Sequence, residues 1–239
     1  LFWNGAACYT LAMSFVHLHT HSHYSLLDGL SQVKDLVKRA KALGMPALAL
    51  TDHGVLYGAI EFYKECLAAE IKPIIGVEAY IAERTHLDKE ASLDTRRYHL
   101  TLLAKNNTGY KNLMKLVSIS HMEGYYYKPR MDLDLIEKYS EGLICLSGCP
   151  GSRFIAHLKA GNKEEAIALL KRYIKIFGKE HVFVEIMPHD EIDWYHPLIP
   201  VIIDIAKEVD LPIVGTWDSH YLHEDDKEAH NTLLAINTN

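Results

Sequence analysis

Residues 17–29 read HLHTHSHYSLLDG, with histidines at every second position (His17, His19, His21, His23) and an aspartate, Asp28, close behind. Side chains two residues apart in an extended strand share a face, so this run can aim two imidazoles at one ion. Neutral imidazole is the commonest protein ligand for zinc-type metals, and a strand end holds two of them with little entropy left to lose. A lone His-x-His pair fits a solvated polar strand face equally well, so the case rests on what the rest of the chain adds.

The elements that must position these groups emerge from the pattern. Candidate strands fall at 15–21, 47–51, 73–81, 98–104, 143–147, 182–187 and 212–216, mostly β-branched or apolar, which suits strands buried on both faces. Between them lie amphipathic stretches. Val33, Leu36, Val37, Ala40 and Leu43 form one stripe that ends at Gly44; NKEEAIALLKRYIKIFG starts at an Asn162 cap and ends at Gly178; residues 198–209 carry a third stripe, with Pro197 and Pro200 near its start. Strand and helix alternating along the chain predict an α/β class and a closed or nearly closed barrel. The polar segment 83–97 reads as a surface loop whose charges serve solvation.

Length and composition bound the site. A chain of 239 residues that is 49% hydrophobic buries one sizeable core, and no Gly/Ser linker divides it. The formal net charge of -6 gives no general nucleic-acid-binding surface, so any contact with DNA is local. Four cysteines are few for a disulfide scaffold, and the default is a reducing, cytoplasmic setting. No apolar run approaches membrane-span length, so no membrane partner is expected. Residues 1–12 match neither the pattern nor the polarity of the rest of the chain; they read as a non-native or upstream remnant, with Met13 the expected start.

Groups able to bind metal recur at or just past the predicted strand ends: His19 and His21 on the first, His53 after the second, Cys149 after the fifth, and Asp218 and His220 after the seventh. That rim is where barrel active sites form. Glu78 lies within the third strand, while His99 sits near the start of the fourth and is the weakest member by position. Glu185 reads as a buried or rim glutamate paired to Arg or Lys. Cys145 reads as a small buried hydrophobe, and His17, His23 and the remaining histidines as packed or surface groups.

HLHTHS with LLDG, TDHG at 51–54, GVE at 76–78, YHLTLLAKN at 98–106, EGYYYKPRMD at 123–132, SGC at 147–149 and WDSHY at 217–221 resemble the PHP (polymerase and histidinol phosphatase) domain family. Within it, EGYYYKPRMD looks like the version at the N-terminus of bacterial DNA polymerase III alpha subunits. The resemblance runs from about Met13 to Asn239. It implies a single PHP domain over 13–239, truncated before the polymerase regions, folded as a distorted (β/α)7 barrel with a metal site at the C-terminal rim of its strands.

Carried over position by position, the resemblance assigns His19, His21, Glu78 and Asp218 to one ion, with Glu78 bridging to a second held by His99 and Cys149. Asp28, His53 and His220 would hold a third. Two to three divalent ions are implied, zinc first because of the thiolate, with manganese or iron as alternatives. Asp52 would orient His53 from behind. Trp217 and Pro150 depart from the family's usual residues without removing a ligand.

Such ions make hydroxide available at neutral pH, so the implied nucleophile is metal-bound hydroxide rather than a side chain. The implied reaction is phosphoester hydrolysis, in the polymerase setting a 3′-5′ exonuclease acting on a single-stranded or frayed DNA end. Tyr126, Lys128 and Arg130 are the candidate DNA contacts. The rest of the alpha chain and other replisome subunits are the implied partners, and the parent protein would be a DNA-directed DNA polymerase. Two alternatives stand beside this: a metal-stabilised scaffold for the polymerase and its proofreading subunit, and a stand-alone phosphatase of the histidinol phosphate type.

Overall fold

The computed structural model describes residues 15–189 and 192–238. Residues 1–12 and Met13 therefore lie outside the described residues. The strands among the described residues are β1 (Ala47–Leu50), β2 (Lys72–Ala82), β3 (Arg97–Ala104), β4 (Tyr125–Tyr126), β5 (Lys128–Met131), β6 (Leu143–Leu146), β7 (Val182–Ile186) and β8 (Ile213–Gly215). The α-helices are α1 (Val33–Ala42), α2 (Ala59–Ala68), α3 (Asn107–Met122), α4 (Leu133–Lys138), α5 (Arg153–Lys159), α6 (Lys163–Phe177), α7 (Ile199–Glu208) and α8 (Lys227–Thr238).

The strands form a mixed, curled sheet in the order β4-β5-β2-β3-β6-β7-β8, with β1 beside β2, and helices pack around it as a distorted barrel. β1 with β2, β6 with β7 and β7 with β8 are parallel, but β3 runs antiparallel to both β2 and β6. The alternation of strand and helix expected along the chain is thereby broken between β2 and β3, within the distorted barrel that was expected. Residues 83–96 join β2 to β3 without a crossover helix, and a direct return of this kind reverses the strand.

The predicted first strand is not regular. Around Thr20 only one bridge forms, to Ser219. The segment still lies between two neighbours: the His17 and Thr20 carbonyls accept from Ala49 and Thr51, while His21 donates to the Ser219 carbonyl and Ser219 to that of His19. It thus spans the gap between β1 and the chain beyond β8.

Alternation along the strands gives the barrel interior two layers. Leu103, Leu146 and Ala49 pack with Ile74, Ile144, Phe183 and Val214 as an apolar layer at one end. Two or four residues further along the same faces come Thr51, Glu78, Thr101 and Glu185, all buried and polar. Gly76 lies between the layers, where a Cβ would meet Leu103 Cδ2 at 2.6 Å and the Leu102 carbonyl at 2.8 Å. Outside the sheet, α1 and α2 bury Val33, Leu36, Phe62 and Cys66 with Leu48 and Leu50, while α3, α5, α6 and α7 cover the larger core. The Asn162 side chain makes no cap bond, so α6 is held by its apolar face instead.

Segment 83–97 does more than solvate its charges. Buried Asp94 takes Arg84 Nε at 3.0 Å and Nη2 at 2.6 Å. Arg130, with no exposed surface, donates to the carbonyls of Gly124, Asp94, His86 and Asp88. Arg130 is therefore no DNA contact: its guanidinium is committed to fastening this loop over the β4–β5 hairpin. Replacing it strips four carbonyls of this donor, two of them on buried residues, Gly124 and Asp94. The expected outcome of Arg130→Met is a loss of about 3 kcal/mol in stability, read as a lowered urea midpoint at unchanged slope.

Candidate metal centre

Glu78 is the hub. Its carboxylate is fully buried within β2, and Glu78 is paired in register with Thr101, one pleat from the Tyr80–His99 pair. His53 Nδ1 lies 2.6 Å, His99 Nδ1 2.8 Å, Cys149 Sγ 3.1 Å and His19 Nε2 3.3 Å from its oxygens. The reversal of β3 explains His99: the start of an antiparallel strand lies at the rim where its neighbours end. Cys149 follows β6 into the same place, 3.3 Å from His99 Nδ1.

Asp218 joins from beyond β8, with Oδ1 3.0 Å from His21 Nε2 and 3.3 Å from His19 Nε2. Its backbone is left-handed, φ +53°, a conformation that costs a non-glycine residue about 1 kcal/mol. Asp28 Oδ2 lies 2.8 Å from His53 Nε2 and 3.7 Å from His220 Nε2. His53 thus faces Glu78 with one ring nitrogen and Asp28 with the other. All nine sequence candidates are brought together at one rim.

Among the described residues, four overlapping groups have ligand atoms within 4.8 Å of one another: His19, His21 and Glu78; His53, Glu78 and His99; Glu78, Cys149 and Asp218; and His21, His53 and His220. Buried His19 Nε2, His21 Nε2, His53 Nδ1, Glu78 Oε2 and Asp218 Oδ1 have no hydrogen-bond partner. Atoms that crowd together without donor–acceptor geometry, in a soft and hard donor mixture of imidazole, carboxylate and thiol, fit divalent ions.

The outward nitrogens are held from behind. Glu185 takes His19 Nδ1 at 3.0 Å and is itself fixed by the Thr216 hydroxyl at 2.6 Å and the Gly148 amide at 3.1 Å. The expected Arg or Lys partner of Glu185 is thus replaced by a histidine. Asp52 accepts from the Ser22 amide and from the hydroxyls of Ser22 and Ser25; Ser25 Oγ then meets His21 Nδ1 at 2.8 Å and accepts from the His53 amide. Asp52 therefore steadies the His21 ring and the His53 main chain rather than the His53 ring. His220 Nδ1 donates to the Asp218 carbonyl.

Charge is balanced by protons in the metal-free chain. Burial opposes ionisation of Glu78, yet His99, His53 and His19 hold its pKa well below the ordinary value. Burial likewise disfavours charge on His53, but Glu78 and Asp28 outweigh it and hold its pKa up at about 10. His19 is raised by Asp218, Glu78 and Glu185 against the same burial cost. His21, buried and beside His53 and His220, is pushed down to about 3. Burial pushes the Cys149 thiol well above its usual range, and Glu78 adds to the effect.

The site opens into a cavity of about 1270 Å³ whose walls include Arg96, Arg97, Lys128, Trp217 and His230. Half-exposed Trp217 lies with its ring 6.0 Å from that of His189, and Pro150 lines the wall near Cys149. Sequence reasoning missed Arg96 and Arg97, which it assigned to solvation, and His230, whose Nε2 lies 3.9 Å from Asp28 and whose ring is 5.7 Å from that of His220.

The PHP domain family profile matches residues 17–189. The chain belongs to the PHP domain family. It is 47% identical over 227 residues to the DNA polymerase III subunit alpha of Treponema pallidum, covering 95% of this chain, and 42% identical over 228 residues to that of Thermus aquaticus, covering 94%. It spans only 19% and 18% of those relatives' lengths. Among solved structures, this PHP domain resembles a Bifidobacterium adolescentis protein assigned as a metal-dependent phosphoesterase (TM-score 0.56, 12% identity, 92% of this chain and 96% of that one). It also resembles an amidohydrolase from Chromobacterium violaceum (TM-score 0.57, 14% identity, 91% and 96%). At those identities the likeness is one of fold. No helix among the described residues is long and apolar enough to cross a membrane.

Zinc titrated into this PHP domain is expected to displace the protons on His53, His19 and Cys149, read by titration calorimetry in buffers of different ionisation enthalpy as net proton release and weaker binding as pH falls; identical heats in all buffers would contradict the candidate site. In the metal-free chain, the stabilisation from His53 is fully present below its ordinary pKa of 6.5 and is lost as pH rises through about 10. Glu185→Gln should weaken zinc binding about 10- to 100-fold in chelator competition.

Proposed function

We propose that this PHP domain is a metal-dependent phosphoesterase that removes nucleotides from the 3′ end of single-stranded or frayed DNA. We further propose that it is the amino-terminal part of a bacterial, cytoplasmic DNA polymerase III alpha chain. The observation that carries the reading is the convergence of eight further ligand-capable side chains around buried Glu78 beneath an open, cation-lined cavity.

His19, His21, Glu78 and Asp218 would hold one ion, Glu78, His99 and Cys149 a second, and Asp28, His53 and His220 a third, with zinc favoured by the thiol and manganese or iron compatible with the rest. When bound, such ions supply Lewis acidity, acidifying water and neutralising phosphoryl charge during in-line displacement. The chain's own residues then have separable tasks. Glu78 ties the ligand groups together at one spacing, and Glu185 and Ser25 keep His19 and His21 from rotating. Exposed Arg96 and Arg97 and half-buried Lys128 place positive charge along the cavity wall, drawing an anionic backbone toward a centre that is itself rich in carboxylates. Lys128 Nζ is 5.6 Å from the Tyr80 ring centroid, which limits its swing. The remaining alpha chain and other replisome subunits are the proposed partners.

The test uses metal-loaded chain with 5′-labelled single-stranded and mismatched primer DNA, and a small phosphodiester, bis(p-nitrophenyl) phosphate. Stepwise 3′ shortening is expected, with a loss of at least about 100-fold in His53→Ala and Asp218→Ala. Absence of cleavage of every substrate by folded, metal-bound protein would assign the cluster to a stabilising scaffold role instead.

A further inference from the structure

Beside the metal cavity lies a smaller one of about 310 Å³ that shares Asp28, His53, Tyr80, Lys128 and Asn237 with it. Its outer wall carries three rings from three elements: Tyr57 ahead of α2, His121 in the last turn of α3, and Tyr125 in β4. Tyr57 and His121 have ring centroids 6.5 Å apart, and His121 and Tyr125 6.4 Å, with interplanar angles of 48° and 38°. The rings thus form a row. Tyr57 and Tyr125 are 59% and 53% exposed, and Leu26 at the edge is 69% exposed.

This row is anchored to the metal centre. His121 Nε2 donates to the Gly54 carbonyl at 3.0 Å, one residue from His53. Gly54 has φ +62° and packs so tightly that a Cβ would meet Pro129 at 2.9 Å and Tyr80 at 3.2 Å. His121, the middle ring, therefore keeps a set distance from His53, and Lys128 lines both cavities.

We infer that Tyr57, His121 and Tyr125 form a stacking platform for unpaired bases of a single-stranded nucleic acid whose backbone passes Lys128 into the metal cavity. This rests on the phosphoesterase reading and adds how the site would select single strands. Every base has a π-face that such rings accept regardless of sequence, and that face is available only when the base is unpaired. Charge agrees with the occupant: Lys128, Arg96 and Arg97 lie along the path of the backbone, and the aromatic surface lies to its side.

The experiment compares binding of dye-labelled phosphorothioate oligothymidine with that of an abasic phosphorothioate strand of equal length, by fluorescence anisotropy on the zinc-loaded 239-residue chain. The expected result is about tenfold tighter binding of the strand that carries bases. Tyr57→Ala combined with Tyr125→Ala should remove that difference while leaving the abasic affinity in place, and phenylalanine at both positions should restore it. Equal affinity for the two strands in the unsubstituted chain, or an equal loss on both in the alanine variant, overturns the platform and points to a protein contact at these rings. Because no bond is cut, this failure is distinct from failure of the phosphoesterase reading, which hydrolysis of bis(p-nitrophenyl) phosphate decides. Thermal melting and zinc content verify that each variant is folded and loaded.

Discussion

A carboxylate stripped of all contact with water costs several kcal/mol unless positive charge surrounds it, and Glu78 is such a group at the centre of this fold. The raised imidazoles of His19 and His53, from two separate segments, supply that charge, and Asp28 and Asp218 lie against the same two rings. Neutrality is reached either with protons or with divalent ions. The same groups cannot hold both, so occupancy of the site and folding of the segments around it are linked quantities.

This constraint accounts for the layering of the barrel. Leu103, Leu146 and Ala49 close the interior on one side of Gly76, and the polar side chains of Thr51, Thr101 and Glu185 lie between that apolar plug and the ligands. Polar groups in the middle layer finish the hydrogen bonds of the histidine nitrogens that face away from the centre, notably Glu185 and Thr101 toward His19 Nδ1. A ligand set built directly on aliphatic neighbours would leave those nitrogens unpaired.

Most of the sheet was legible because its strands are short apolar runs bounded by turn residues, and the ligand candidates because their types recur at the ends of those runs. His99 looked out of place, since sequence periodicity shows that a strand exists but not its direction; only the helix-free connection 83–96 hinted at the reversal. The segment from Phe15 to His21 has strand-like alternation, yet its bonds are divided between β1 and Ser219 and never form a regular ladder. Arg130 sits in a basic-aromatic stretch of the kind that contacts nucleic acid, and nothing local reveals that three distant carbonyls claim it besides that of nearby Gly124. Glu185 and His230 depend on contacts across long sequence separations, which pattern reading does not carry. In each case the missing information is tertiary.

The direction of β3 also has a consequence for how members of such a family can diverge. Because that strand runs against its neighbours, the 83–96 connection lies at the end of the barrel that holds the metal centre. Insertions or deletions there would remodel the entrance beside Arg96 and Arg97 while Glu78 and His99 stay in register on β2 and β3. The approach to the candidate centre can therefore change through one loop without moving the groups that the strands hold beneath it.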